Sequence, residues 1–246
     1  MTFSTGRFLH GQVQYASDET VGLIPEPDMS SNIELARNNM IEQQVRTWEV
    51  LDSRVLDTLG SVPREDFVPS RYRKLAFSDL RIPLGDDQVM MKPVEEGRML
   101  QALTLTGSER VLEIGTGSGF ISACLATLAA EVHSIEINPR LAESAADRLS
   151  RLGYGNVRVE CADALGGYSP EGSYDVLVVT GSAAEPPSVF FDWLERNGRL
   201  FIVRGHSPAM EAVCLTGVGT RWLAESLFET DLPRLIGAED APVFEF

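Results

Sequence analysis

The spacing of apolar positions changes character near residue 109. Upstream, Ile33, Leu35, Ala36, Met40, Ile41 and Val45 follow Met29-Ser-Ser-Asn at helical spacing. They predict one amphipathic helix running to about Val45. A second helix is expected from Asp52 to Ser61, with Asp52 as N-cap, Val55, Leu56 and Leu59 inward, and Pro63 as the stop. Phe67-Val-Pro69 and Tyr72 to Phe77 read as a short helical or looped apolar patch. Ile82-Pro-Leu84 and Gln88-Val-Met-Met91 read as extended. Pro93 suits the first turn of a helix reaching about Leu105.

Downstream the pattern alternates strand and helix. Strands are expected at Arg110–Ile114, Val132–Ile137, Val157–Cys161, Tyr174–Thr180 and Arg199–Val203, the last after an Asn197-Gly198 turn. Helices are expected at Phe120–Leu128, at Pro139–Leu152 with Asn138 as its cap, and at Pro186–Leu194. Val213–Thr216 and Trp222–Phe228 read as an antiparallel pair around Gly217-Val-Gly219. The run Tyr174–Thr180 is continuously apolar, the mark of a strand covered on both faces. Units of this length imply an α/β fold: a doubly wound, mostly parallel seven-stranded sheet with an N-terminal helical cap. Three stretches follow: a loosely ordered extension over 1–28, with Met29 as an alternative start, a cap over 29–108, and a sheet domain over 109–246.

In such a sheet, ligands bind outside the carboxyl ends of the strands, at the switch point. There the sequence places Val111-Leu-Glu-Ile-Gly-Thr-Gly-Ser-Gly119, three glycines at alternate positions after a strand. A dinucleotide turn needs its third glycine one position later, and position 120 is Phe. Glu113 before the turn would repel a pyrophosphate and attract an ammonium group. Glu136, ending the second strand, suits two ribose hydroxyls. Asp163, past the third strand, suits an adenine amino group. A cationic amino acid, a ribose and an adenine together describe S-adenosylmethionine. The expected contacts are Glu113, Gly115, Gly117, Ser118, Gly119, Glu136, Ile137, Asp163, Ala164 and Thr180.

Charge and composition narrow the partners. The net charge of −15 opposes nucleic acid and anionic membrane surfaces. No apolar run approaches the ~18 residues of a membrane span. Cys124, Cys161 and Cys214 are scattered without metal spacing, as are His10, His133 and His206. Reduced, mostly buried thiols, a cytoplasmic location and no metal are expected.

Several segments resemble the protein-L-isoaspartate O-methyltransferase family of class I methyltransferases, over roughly Asn38 to Val203. They are Val62-Pro-Arg-Glu-Asp-Phe-Val68, Ile82-Pro-Leu-Gly85 with Gln88, Val111–Gly119, Tyr174–Thr180 with Ala183-Ala184 and Pro187, and Asn197-Gly-Arg-Leu200. The resemblance implies a Rossmann-like fold, S-adenosylmethionine as cofactor, and methyl transfer to a carboxylate on a protein, peptide or small molecule. A carboxylate is ionised at neutral pH and needs no general base. The family carries Thr-x-Ser-x-Pro over its active site, where this chain has Val89-Met-Met-Lys-Pro93, so Val89 and Met91 replace both hydroxyls. The family's Gly-Asp-Gly becomes Ala162-Asp-Ala164. Gln88–Pro93 and Thr180-Gly-Ser-Ala183 are expected on the substrate side, with Met91, Lys92 and Ser182 as candidates and Arg98 nearby. Asn39, Gln43, Gln44 and Arg46 read as polar surface, or else as the substrate entrance. Two other readings stay open: a cofactor-binding module without transferase activity, and a nucleotide-dependent oxidoreductase.

Overall fold

The computed structural model describes residues 29–239; the expected extension over 1–28 lies outside them. Helix α1 (Met29–Met40) widens into a π turn, Ile41–Val45, then tightens into a 3₁₀ turn, Arg46–Trp48. The unbroken helical pattern to Val45 thus covers a change of backbone. The wide turn buries both Ile41 and Val45 and seats Val45 Cγ1 against Gly97, where a Cβ would lie only 2.9 Å away. Helix α2 (Ser53–Ser61) begins at the expected cap: the Asp52 side chain accepts from Arg54 N. Its apolar side buries Val55, Leu56 and Leu59. A short helix α3 (Arg64–Phe67) and a 3₁₀ stretch, Ser70–Leu75, follow. Strands β1 (Ile82–Gly85) and β2 (Gln88–Met90) form an antiparallel hairpin, and α4 (Pro93–Ala102) starts on Pro93.

The remainder alternates as β3 (Arg110–Ile114), α5 (Phe120–Leu128), β4 (Glu131–Glu136), α6 (Pro139–Arg151), β5 (Val157–Cys161), β6 (Tyr174–Ala183), α7 (Val189–Asp192), β7 (Leu194–His206), β8 (Ala209–Val218) and β9 (Arg221–Thr230). The seven strands β3 to β9 form one sheet in the order β5-β4-β3-β6-β7-β8-β9. Pairs from β5 through β7 are parallel; β8 is antiparallel to both its neighbours. The chain winds outward from β3 to β5, then returns to β3's other side with β6. The switch point therefore lies between the ends of β3 and β6.

Two expectations change. The helix over Pro186–Leu194 is only the four residues of α7, because β7 begins at Leu194 and leaves no length for more. Phe190 and Trp193 are drawn into the core beneath it. The Asn197-Gly198 turn precedes no strand; it is an excursion within β7. Tyr174 pairs with Leu194 but Val176 pairs with Arg199, so β7 carries surplus residues there.

Strand alternation divides the core. Val111, Val176, Val178, Phe201 and Val203 face one side, and cluster with α5, α2, α4 and the hairpin. Leu112, Ile114, Leu177, Val179, Leu200 and Ile202 face the other, over Phe190 and Trp193. Val176 to Val179 are all buried, as the continuous apolar run requires.

Candidate active site

A cleft of two connected lobes opens at the switch point. The outer lobe runs along the ends of β3, β4 and β5. The inner lobe, the smaller of the two, lies beneath the hairpin. Leu84, Val89, Gly115, Gly117 and Thr180 line both.

The glycine turn separates them. Gly115 adopts φ 94°, and a Cβ there would sit 2.5 Å from Thr180 Oγ1. The closeness arises in β6, whose register slips between Val178 and Ser182. That irregularity carries Thr180 over the turn, where its hydroxyl donates to the Gly115 and Ile114 carbonyls. Gly119 is left-handed as well and packs on α6: a Cβ would lie 3.3 Å from Ala145 Cβ. It supports the turn and does not line the cleft. Ser118 lines the inner lobe.

Glu136 is 6% exposed at the end of β4. Its two oxygens accept from Gly117 N at 2.8 Å and Asn138 N at 3.0 Å, which ties the turn to the neighbouring strand. Each oxygen keeps a lone pair for a ligand. Asp163 Oδ1 accepts from the amides of Leu165 and Gly166, at 2.9 Å each, in a tight turn. Glu136, Ile137, Asp163 and Ala164 all line the outer lobe.

Glu113 does not. Alternation along β3 sends its side chain to the face covered by α5. There Oε2 accepts from Ser122 and, at 2.6 Å, from Ser134, its register partner on β4. Glu113 is 0% exposed, and Oε1 has no hydrogen-bond partner. Burial raises its carboxyl to about 7, against the two hydroxyl donors. The expected approach of a ligand ammonium to Glu113 is therefore corrected: the acid is sealed beneath the turn.

The substrate-side candidates also separate. Val89 and Met91 line the inner lobe, with Phe120 and Ile121 opposite. Lys92 and Ser182 line neither lobe. Ser182 is fully buried and donates to Leu232 O at 2.8 Å, which fastens the segment after β9 to β6. Lys92 occupies the N-cap position of α4. Arg98 is a staple, reaching the Trp48 and Leu227 carbonyls and Glu49. None of Asn39, Gln43, Gln44 and Arg46 lines either lobe; Arg46 pairs with Glu42, and Gln44 donates to Phe77 O.

Three contributions were not foreseen. At the hairpin tip, Asp86 accepts from Asn138 Nδ2 and Arg140 Nη2 at 2.8 Å each, latching the hairpin to α6 beside the outer lobe. Arg140, then Asn138, hold its carboxyl below the usual range. Arg234, Leu235 and Ile236 supply part of the outer wall. Finally, Glu96 is 1% exposed and lines the inner lobe. Its Oε2 pairs with Arg64 Nη1. Arg64 also donates to Ala76 O and Met91 O, and its guanidinium stacks 4.6 Å from the Phe120 ring centre. An acid near a helix N-terminus is ordinary in sequence, so nothing in Pro93-Val-Glu-Glu-Gly97 singled out Glu96.

The sheet order and the cleft at its switch point define a Rossmann-like methyltransferase fold. A protein-L-isoaspartate O-methyltransferase of Plasmodium falciparum, solved in complex with S-adenosyl-L-homocysteine, superposes with TM-score 0.69 at 18% identity, over 81% of this chain and 97% of that one. A second solved protein-L-isoaspartate O-methyltransferase gives 0.68 at 24%, over 80% and 65%. At the level of sequence, the profile of the family Protein-L-isoaspartate(D-aspartate) O-methyltransferase matches residues 35–212. Protein-L-isoaspartate O-methyltransferase 1 of Syntrophobacter fumaroxidans is 41% identical over 74% of this chain and 85% of its own. Protein-L-isoaspartate O-methyltransferase 2 of an Anaeromyxobacter species is 39% identical over 71% and 72%. The chain belongs to the protein-L-isoaspartate O-methyltransferase family.

Proposed function

We propose that the chain is an S-adenosylmethionine-dependent carboxyl O-methyltransferase of the isoaspartyl type, acting on a protein or peptide carboxylate. The observation that carries the cofactor assignment is the pairing of Glu136 and Asp163 on one cleft beside a turn with no side chain at Gly115 or Gly117. When bound, the cofactor supplies an electrophilic methyl group on a sulfonium. Glu136 accepts the ribose hydroxyls with its remaining lone pairs, and Asp163 faces the adenine side. The hairpin, latched through Asp86, covers the junction of the lobes and excludes water from it. The acceptor enters along Val89 and Met91.

The chain's work is positioning and desolvation, since a carboxylate nucleophile arrives ionised. That agrees with the position of His133, whose ring is engaged by Tyr174 and Glu160 away from both lobes. Family membership disfavours the oxidoreductase reading. The loss of the Thr and Ser hydroxyls at Val89 and Met91 is the observation that favours the second reading, a cofactor-binding relative with another acceptor or none. The three free cysteines, two of them buried, accord with a reducing cytoplasm. Among the described residues, no helix is long and apolar enough to cross a membrane, and no cluster of ligating side chains could hold a metal ion.

The test is incubation with radiolabelled methyl donor and an isoaspartyl peptide. Base-labile label on the peptide is expected. Label that resists base points to another acceptor group, and no label across varied acceptors points to the binding module.

A further inference from the structure

We infer that Glu96 binds the cationic amino-acid end of the cofactor in the inner lobe, through its Oε1. The inference rests on the S-adenosylmethionine reading above and adds to it the group that the sequence had sought in Glu113. A nucleoside seated along Glu136 and Asp163 fills the outer lobe. Whatever is attached to its ribose continues past Gly115 and Gly117, the residues common to both lobes. Beyond them, Glu96 is the one ionisable side chain on the inner wall; its companions are Leu84, Val89, the two methionines, Phe120 and Ile121, with the glycine turn, Ser118 and two threonines.

Its carboxylate is held for such a role. Arg64 grips Oε2 and is itself fixed by the Ala76 and Met91 carbonyls, so the group cannot swing away. Oε1 accepts no hydrogen bond among the described residues, although Glu96 is almost wholly buried. A buried acid with an open oxygen on an apolar wall is a site for a cation, because an arriving ammonium offsets the desolvation that the acid suffers. Burial, against the pull of Arg64, raises Glu96 to about 7. The other titratable groups around it are its neighbour Glu95, already bound by Thr230 and Arg81, and the Cys124 thiol on α5, held protonated by burial. Binding a cation therefore requires Glu96 to shed its proton, and affinity should rise with pH.

The experiment is calorimetry on the full chain and on Glu96→Gln with two ligands. S-adenosylhomocysteine carries the amino-acid end; 5′-methylthioadenosine has the same nucleoside thioether without it. Glu96→Gln is expected to weaken the first at least tenfold and leave the second within about twofold. For the unmodified chain, affinity for S-adenosylhomocysteine should rise about tenfold from pH 6 to pH 8, as a group of pKa near 7 gives up its proton. Affinity for 5′-methylthioadenosine should stay flat. Should the variant fail to fold, the pH series is run on Glu113→Gln, which removes the other carboxyl raised to about 7, and the pH dependence confined to S-adenosylhomocysteine should persist. Equal affinities of variant and parent for S-adenosylhomocysteine, or parallel pH profiles for the two ligands, overturn the inference while leaving the cofactor reading intact. An unmodified chain that binds neither ligand overturns both.

Discussion

The two lobes of the cleft are built from different kinds of structure. The outer lobe is walled mainly by residues just past β3, β4 and β5, held by a parallel ladder whose register is continuous from Arg110–Glu131 to Glu136–Cys161. The inner lobe takes its roof from the hairpin and its acid from α4, segments outside the parallel ladder; α4 is tied to the sheet by side chains, Arg98 donating to Leu227 O and Glu95 accepting from Thr230 on β9. Strand ends are fixed by hydrogen-bond register, so their side chains can be placed from sequence once the strands are found. Packed segments have no such index. The inner lobe, proposed to face the acceptor, exchanges two hydroxyls for Val89 and Met91. The lobe proposed to hold the nucleoside changes as well, at Ala162 and Ala164, but keeps the acid Asp163 between them.

The comparison can be broken most directly at Glu136. Glu136→Ala removes the proposed ribose acceptor and leaves the Gly117 and Asn138 amides without their partner. Hydrogen bonds to a charged group are each worth about 1.5–3 kcal/mol, so Kd for S-adenosylhomocysteine should rise about 100-fold by calorimetry. A change below threefold would remove the outer lobe from cofactor binding.

Next comes Glu113, which contributes to stability and not to the cleft wall. Its folded carboxyl is raised from 4.5 to about 7. The stability it contributes is therefore full below about pH 4.5 and lost as pH rises through 7. Relative to Glu113→Gln, the unmodified chain should lose on the order of 2 kcal/mol between pH 5 and pH 8 in urea unfolding. Parallel pH profiles would show that the acid is hydrated.

The inner lobe is sharpened by putting the hydroxyls back. Val89→Thr with Met91→Ser should raise kcat/KM for an isoaspartyl peptide about tenfold, the worth of one hydrogen bond to a carboxylate. Met91 is buried, so the same change should cost about 2 kcal/mol of stability through the void it leaves. Unchanged kinetics would mean that the acceptor does not pass this side of the hairpin. The smallest effect belongs to Asp163→Ala. Its carboxylate is exposed and half committed to its own turn, and a rise in Kd of about threefold is expected for one solvent-screened contact.

Most of the fold was legible because its signals are local. Asp52 and Asn138 cap the helices they precede, and β3 and β5 span the residues their apolar runs predict. What escaped was decided at a distance. The π turn after α1 answers to Gly97, far along the chain, and α7 is cut short by where β7 must start. Glu113 lies on the expected strand but on the face covered by α5, because alternation along β3, and not nearness to the strand's end, decides where its side chain points. Of the candidate site, Glu136, Ile137, Asp163, Ala164, Gly115, Gly117, Ser118, Thr180 and Met91 come together on the cleft. Glu96 gave no signal, since an acid in the first turn of a helix is also the commonest surface residue there.

The fastening of Ser182 to Leu232 has a temporal side. The glycine turn and both outer acids precede Ser182, whereas the segment that walls their flank begins 50 residues later. Leu235 N donates back to Ser182 O, and the Leu235 side chain packs over Gly181. Chains emerge from the ribosome at about 5–20 residues per second, so a nascent molecule carries its acids for some seconds in an open trough. The outer lobe's wall is complete only once that final stretch has docked.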